Sequence, residues 1–214
     1  MAGNGAHGVV RDGLSAFEAA RAVTLGKIAP LSQPQLDFAP RPGKWSIGEI
    51  ADHVRLSERL YRGEIARLVA LARAGKTAYL KHSFAEVNVA PLHLPNWVLS
   101  CLETPIGLMR PFVPDAVINV ITEFPILPTR NPDAATPVRR RPGAELTASL
   151  KASIEETRAV IDANADLDFE TMISVHPLTG ANNVPQIFMF LARHERRHHG
   201  QIDGVRSDSR FPRT

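Results

Sequence analysis

The sequence predicts an all-α fold built from four long helices. Four segments repeat their apolar residues with the 3.6-residue period of a helix; they are residues 12–29, 46–74, 144–165 and 183–205. A second observation is a helix-start signal, Ser46 followed three residues later by Glu49, which forms a capping box in front of the second segment. Four such helices pack most simply as a bundle.

Composition limits the class of protein. A chain of 214 residues, 44% hydrophobic and 22% charged, is expected to form one globular domain over residues 1–214. The lone cysteine, Cys101, and the absence of a signal-peptide pattern predict a protein of the reducing cytoplasm. No run of eighteen apolar residues occurs, so no membrane partner is expected. A net charge of +3 is too modest to predict a nucleic-acid partner.

The first two helices have clear cores and clear ends. In the first, one row holds Leu14, Phe17, Arg21, Thr24 and Ile28, and prolines 30 and 34 end the helix. The second is predicted to continue to Ala74, where Gly75 supplies a stop. Its core stripe consists of Ile47, Ile50, Ala51, Val54, Tyr61, Ile65, Leu68 and Ala72.

Residues 76–143 form a proline-rich insertion between the second and third helices. A partial helix is predicted over residues 96–110, and the insertion is expected to pack over one side of the helical core because of its apolar content. Trp97 and Phe112 are placed where the insertion could wall a pocket, but ordinary core packing is the favoured interpretation of these residues.

The last two helices follow the insertion. The third has the stripe Leu146, Leu150, Ile154, Thr157 and Ile161. Residues 174–180 are predicted to form a turn. Asn183 then caps the fourth helix, and Pro185 lies in its first turn, where a missing N–H costs least.

The fourth helix carries the pattern H-E-x-x-H, with His194 and His198 in its apolar row. Histidines four residues apart lie on one face of a helix, so both imidazoles can reach one metal ion. A zinc-protease interpretation fails, because the downstream glycine and third histidine of the extended pattern are absent. The alternative is a pair of hydrogen-bonded core histidines, since buried imidazoles need a hydrogen-bond partner or a metal.

A third ligand must come from earlier in the chain. His53 lies inside the second helix beside its core stripe, and a bundle can bring it opposite His194 and His198. The other histidines lie in a terminus, the insertion, a turn, or one position past His198 on another face; they are His7, His82, His93, His176 and His199. Three histidines and an open position match a catalytic zinc site, although imidazole also suits nickel, copper and iron.

Two segments resemble the signatures of the DinB-like superfamily: KWSIGEIADH at residues 44–53 and HERRHHGQI at residues 194–202. The resemblance implies a four-helix bundle in up-down-down-up order with one long crossover, and often a homodimer. It implies one divalent metal ion, Zn²⁺ or Ni²⁺ above all, held by His53, His194 and His198. Relatives include S-transferases and isomerases that use bacillithiol or mycothiol, so a low-molecular-weight thiol is a second expected cofactor.

These expectations favour an enzyme that acts on a small electrophilic molecule through metal-activated water or a metal-activated thiol. No catalytic residue is assigned. Glu195 is expected at the surface beside an arginine, Glu49 is explained by its capping box, and Gln201 is placed where it could orient a ligand. The alternatives are a non-enzymatic divalent-metal or stress-response protein and, far behind, a nucleic-acid binder that uses the arginines at positions 139–141.

Overall fold

The computed structural model describes residues 3–83, 135–176 and 180–213. Its long helices are α1 (Gly3–Ile28), α3 (Ile47–Arg73), α4 (Gly143–Asp162) and α5 (Val184–Arg206). The predicted helix at 96–110 and the predicted pocket wall at Trp97 and Phe112 lie outside these residues, as does Cys101. All four predicted long helices are confirmed within the described chain. The up-down-down-up order and the crossover stay predictions.

Local signals in the sequence start and stop these helices. Ser46 Oγ accepts from the Glu49 backbone N–H, and Glu49 Oε2 accepts from the Ser46 N–H in return. Gly75 follows α3 with a φ of +67°, the left-handed geometry that a helix C-terminus often takes. Asn183 Oδ1 caps α5 by accepting from the Gln186 N–H. The first helix begins well before residue 12, because Val10 is buried and extends its stripe by one turn.

Two smaller features were not predicted. A short helix, α2 (Gln33–Asp37), follows Ser32 in a stretch for which no element was predicted. Instead of a simple turn at 174–180, strands β2 (Ile173–His176) and β3 (Gly180–Asn183) pair antiparallel, and β1 (Tyr79–Lys81) pairs parallel to β2. The prediction missed this small sheet because strands of three or four residues show no alternating pattern and depend on their neighbours for stability.

The long helices surround a core that is divided into two parts. Helix α1 packs mainly against α5, and α3 packs against both α4 and α5. One apolar cluster is built around Phe17, Ile65 and Phe188, and the other around Ile47, Leu150 and Ile202. Between them the same helices carry a layer of buried polar side chains, which includes Arg21, Thr24, His53, Glu58, Thr157, Glu195 and His198. A buried polar layer needs internal partners, so these partners define the candidate site.

Candidate metal centre

The three predicted ligands come together in the structure. His53 on α3 is 2% exposed, and its ring centroid lies 5.2 Å from that of His194 and 4.9 Å from that of His198 on α5. The ligand atoms of all three histidines lie within 4.8 Å of one another. The capping box that starts α3 and the i, i+4 spacing on α5 place these side chains at the same level of the polar layer.

Hydrogen bonds fix two of the ring orientations. His53 Nδ1 donates to the Ala135 carbonyl oxygen at 2.8 Å, and His198 Nδ1 donates to Gln201 Oε1 at 2.8 Å. With a proton on each Nδ1, the neutral rings carry a lone pair on Nε2. In metal sites, hydrogen-bond acceptors of this kind hold the ligand histidines in orientation from behind. Gln201 therefore holds a histidine of the cluster, at the position where the sequence placed a ligand-orienting side chain.

The spacing of the two α5 histidines suits one tetrahedral ion. His194 Nε2 and His198 Nε2 are 3.1 Å apart. Two zinc–nitrogen bonds of about 2.0 Å at a tetrahedral angle would separate their nitrogens by roughly 3.3 Å. A hydrogen bond between the two rings would also suit this distance, but it would not explain why His53 packs against both of them. His53 makes its hydrogen bond through Nδ1, which leaves Nε2 as the nitrogen it can offer to an ion.

Burial keeps the cluster neutral. Desolvation lowers the pKa of His198 to about 3, and the nearby His53 charge adds to that effect. It also lowers the pKa of His53 and holds the pKa of His194 well below its ordinary value. Neutral imidazole is the form that binds a metal ion. At neutral pH the cluster is therefore ready for a cation without first losing protons.

Aromatic rings surround the histidines. The Trp45 ring centroid lies 4.8 Å from that of His53, and the Phe190 ring stacks on His194 at 5.9 Å. Tyr61 packs in turn against Phe190 at 5.3 Å. Apolar walls of this kind exclude water and strengthen electrostatic interactions inside a site.

The end of the insertion completes the site from the other side. The 135–141 segment lies on the first turns of α3, where the buried Asp52 accepts from the Val138 N–H at 3.0 Å and from Arg141 at 2.8 Å. Arg139 reaches Glu49 at 3.0 Å. These contacts hold the Ala135 carbonyl against His53. No sequence signal pointed to Ala135, because its contribution is a backbone oxygen.

Glu195 does not take the surface position that was predicted for it. Its side chain is 1% exposed and turns away from the histidines toward α1. There it accepts from Arg21 at 2.6 Å and from Thr24 Oγ1. The prediction of an arginine partner was right, but the partner is buried and belongs to another helix. The available signal was Arg21 itself, a charged residue in the apolar row of the first helix.

The remaining described histidines lie outside the cluster. His82 Nε2 is 3.6 Å from a Glu64 oxygen near β1, and burial lowers the pKa of His176 on β2 to about 4. His199 faces α1, where its Nε2 is 2.9 Å from Thr24 Oγ1. His93 falls outside the described residues. Among the described residues, the three predicted ligands form the single group of three or more histidine, cysteine or acidic side chains that could hold an ion.

The fold and the site define a helical protein whose three-histidine cluster could hold a divalent metal ion. A family model described as DinB superfamily matches residues 16–202, and the chain belongs to that superfamily. Comparison with curated proteins and comparison with solved structures each gave no significant match. None of the helices in the described residues combines the length and apolar character that a membrane span needs.

Proposed function

We propose that this protein is a metal-dependent enzyme of the DinB type that acts on a small electrophilic molecule. In this proposal His53, His194 and His198 bind one divalent ion. The observation that carries it is the convergence of three neutral imidazoles from two helices, with the His194 and His198 nitrogens at a separation that suits one ion. Membership of the superfamily supports the same conclusion.

A bound Zn²⁺ or Ni²⁺ would act as a Lewis acid and lower the pKa of a water or thiol ligand. The chain itself prepares the site. Ala135 and Gln201 fix the tautomers of His53 and His198, so that each Nε2 is free to bind. Trp45 and Phe190 keep the surroundings apolar. Three protein ligands leave one tetrahedral position open for an exchangeable ligand.

The nucleophile is either water, which gives a hydrolase, or a low-molecular-weight thiol, which gives an S-transferase. Both candidate bases are engaged elsewhere: Glu195 pairs with Arg21, while Glu49 caps α3 and binds Arg139. With these bases engaged, activation of either nucleophile falls to the ion, which would lower the pKa of bound water and of a bound thiol alike. A small-molecule substrate, a homodimer and a cytoplasmic location remain predictions that accompany this proposal.

A non-enzymatic metal-binding or stress-response protein is the second candidate. The observation that favours it is the same engagement of Glu49 and Glu195. A site without a free base could store or sense a metal ion while its fourth position stays idle.

Metal content tests the proposal. Elemental analysis of untagged wild-type protein should find about one divalent ion per chain, and His53→Ala and His198→Ala should each lose it because two histidines hold an ion weakly. His82→Ala is the matched control, since it removes a histidine outside the cluster and should keep the ion. Circular dichroism establishes that each variant is folded.

The outcomes separate the candidates. No ion in reconstituted wild-type protein, or an unchanged ion content in folded His53→Ala, contradicts the metal centre. With the ion in place, turnover of model esters, amides or thiol acceptors by the wild type alone supports the enzyme. Stable metal binding with no turnover across these classes favours the storage or sensing role.

A further inference from the structure

Two arginines that are mostly removed from solvent have carboxylate partners. Arg21 donates to Glu58 at 2.8 Å and to Glu195 at 2.6 Å. Arg141, mostly buried, donates to Asp52 at 2.8 Å. Pairing is expected, because an ion taken out of water without a counter-ion costs several kcal/mol.

Arg197 departs from this pattern. It is half-buried on α5, and its Nε is buried without a hydrogen-bond partner. In the parts of the chain that the structure describes, no carboxylate forms an ion pair with it. Arg197 is therefore a half-buried cation without a counter-ion among the described residues.

The position of Arg197 relates it to the three-histidine cluster. It lies one residue before His198 and three after His194, so its side chain leaves α5 on the flank of the face that carries both histidines. His198 is one of the three histidines of the cluster, so Arg197 is adjacent in the chain to a candidate ligand. A free cation at the edge of an apolar site is placed to meet an anionic group of a molecule bound there.

We propose that Arg197 recognises an oxyanion, a carboxylate or a phosphate, on the molecule that the metal centre binds. This inference rests on the proposed function and adds a substrate class to it. The guanidinium fork matches the two oxygens of such a group, and its terminal Nη nitrogens supply the parallel donors. Arg197 acts here as a specificity residue.

The test compares two thiols that differ in one charged group. Cobalt-loaded protein is titrated with 3-mercaptopropionate and with neutral 2-mercaptoethanol, and the thiolate–cobalt absorbance reports binding. Wild type should bind the acid at least about tenfold more tightly, the size of one charge-assisted hydrogen bond. Arg197→Gln should bring the two affinities together, and Arg197→Lys should recover part of the preference. Arg196→Gln is the matched control, since it removes an adjacent exposed charge.

Inorganic phosphate provides a measurement without the metal. The metal-free wild type should be stabilised by phosphate against thermal unfolding more than Arg197→Gln is. Equal affinities for the two thiols in the wild type, or a preference that persists in Arg197→Gln, overturn the proposal. If cobalt does not bind, the metal centre fails and phosphate alone decides the role of Arg197. If phosphate stabilises the wild type and Arg197→Gln equally, the proposal for Arg197 is overturned as well.

Discussion

At the scale of single residues, Glu195 shows why a motif does not fix a role. It occupies the glutamate position of H-E-x-x-H, directly after the cluster residue His194. Successive residues of a helix point about 100° apart, so a side chain next to a ligand faces another neighbour. Here that neighbour is Arg21 on α1, which lies between Glu195 and Glu58. The glutamate therefore joins the helices instead of facing the cluster.

Arg21→Met should destabilise the protein by about 3–5 kcal/mol, because it leaves the buried Glu195 without its counter-ion and Glu58 with only the more distant Arg62 at 3.8 Å. Urea unfolding measures the loss. Arg158→Met is the control, since Arg158 forms exposed ion pairs with Glu18 and Glu155 and should cost about 1 kcal/mol or less. Arg21→Lys keeps the charge and should be affected less than Arg21→Met. Equal losses for Arg21→Met and Arg158→Met would contradict the buried role.

At the scale of elements, the 135–141 segment acts as a strap across the start of α3. Asp52 is fully buried and gathers three donors, from Val138, Arg141 and Arg55. These donors lower the pKa of its carboxyl group against the opposing effect of burial. The strap holds the oxygen that orients His53, so the geometry of one ligand depends on an element distant in sequence.

Asp52→Asn should loosen this strap. An amide keeps the size of the side chain but loses the charge that attracts Arg55 and Arg141, so the Val138 amide should exchange its hydrogen faster. Metal affinity should fall roughly tenfold to hundredfold, the usual cost of losing an outer partner of a ligand. A chelator competition measures the affinity. The matched control is Asp162→Asn, which removes an exposed partner of Arg11; equal effects in the two variants would count against the strap.

At the scale of the whole molecule, the polar layer joins elements that are distant in the chain. The cluster histidines come from α3 and α5, and the Arg21 ion pairs connect α1 with the same two helices. An ion held by His53 and the α5 pair would cross-link the middle of the fold. Binding to the folded state alone stabilises it in proportion to the logarithm of ligand concentration.

Metal removal should therefore lower the melting temperature. Zinc at a hundred times its Kd should add about 2.7 kcal/mol to the free energy of unfolding, and a chelator should reverse the gain. Calorimetry of the wild type with and without zinc measures the effect. His53→Ala should show little dependence on zinc. An equal zinc effect in both proteins would indicate binding elsewhere.

The chain alone predicted most of the helical framework and the cluster residues. Apolar residues at helical spacing, such as Leu146, Leu150 and Ile154, are buried on one face of their helix. The caps at Ser46 and Asn183 bond backbone N–H groups only three residues away. The i, i+4 pair on α5 is likewise a local geometric fact. Such features could be predicted because the interactions that produce them span only a few residues.

Other features were decided by tertiary structure. The strands of the small sheet exist only through pairing, the partner of Glu195 is 174 residues away, and Ala135 supplies a backbone oxygen to His53 across 82 positions. The sequence determined which residues form helices and which faces they bury. The packing of those helices decided which buried polar groups meet, because desolvation forces each to find a partner wherever the fold places one.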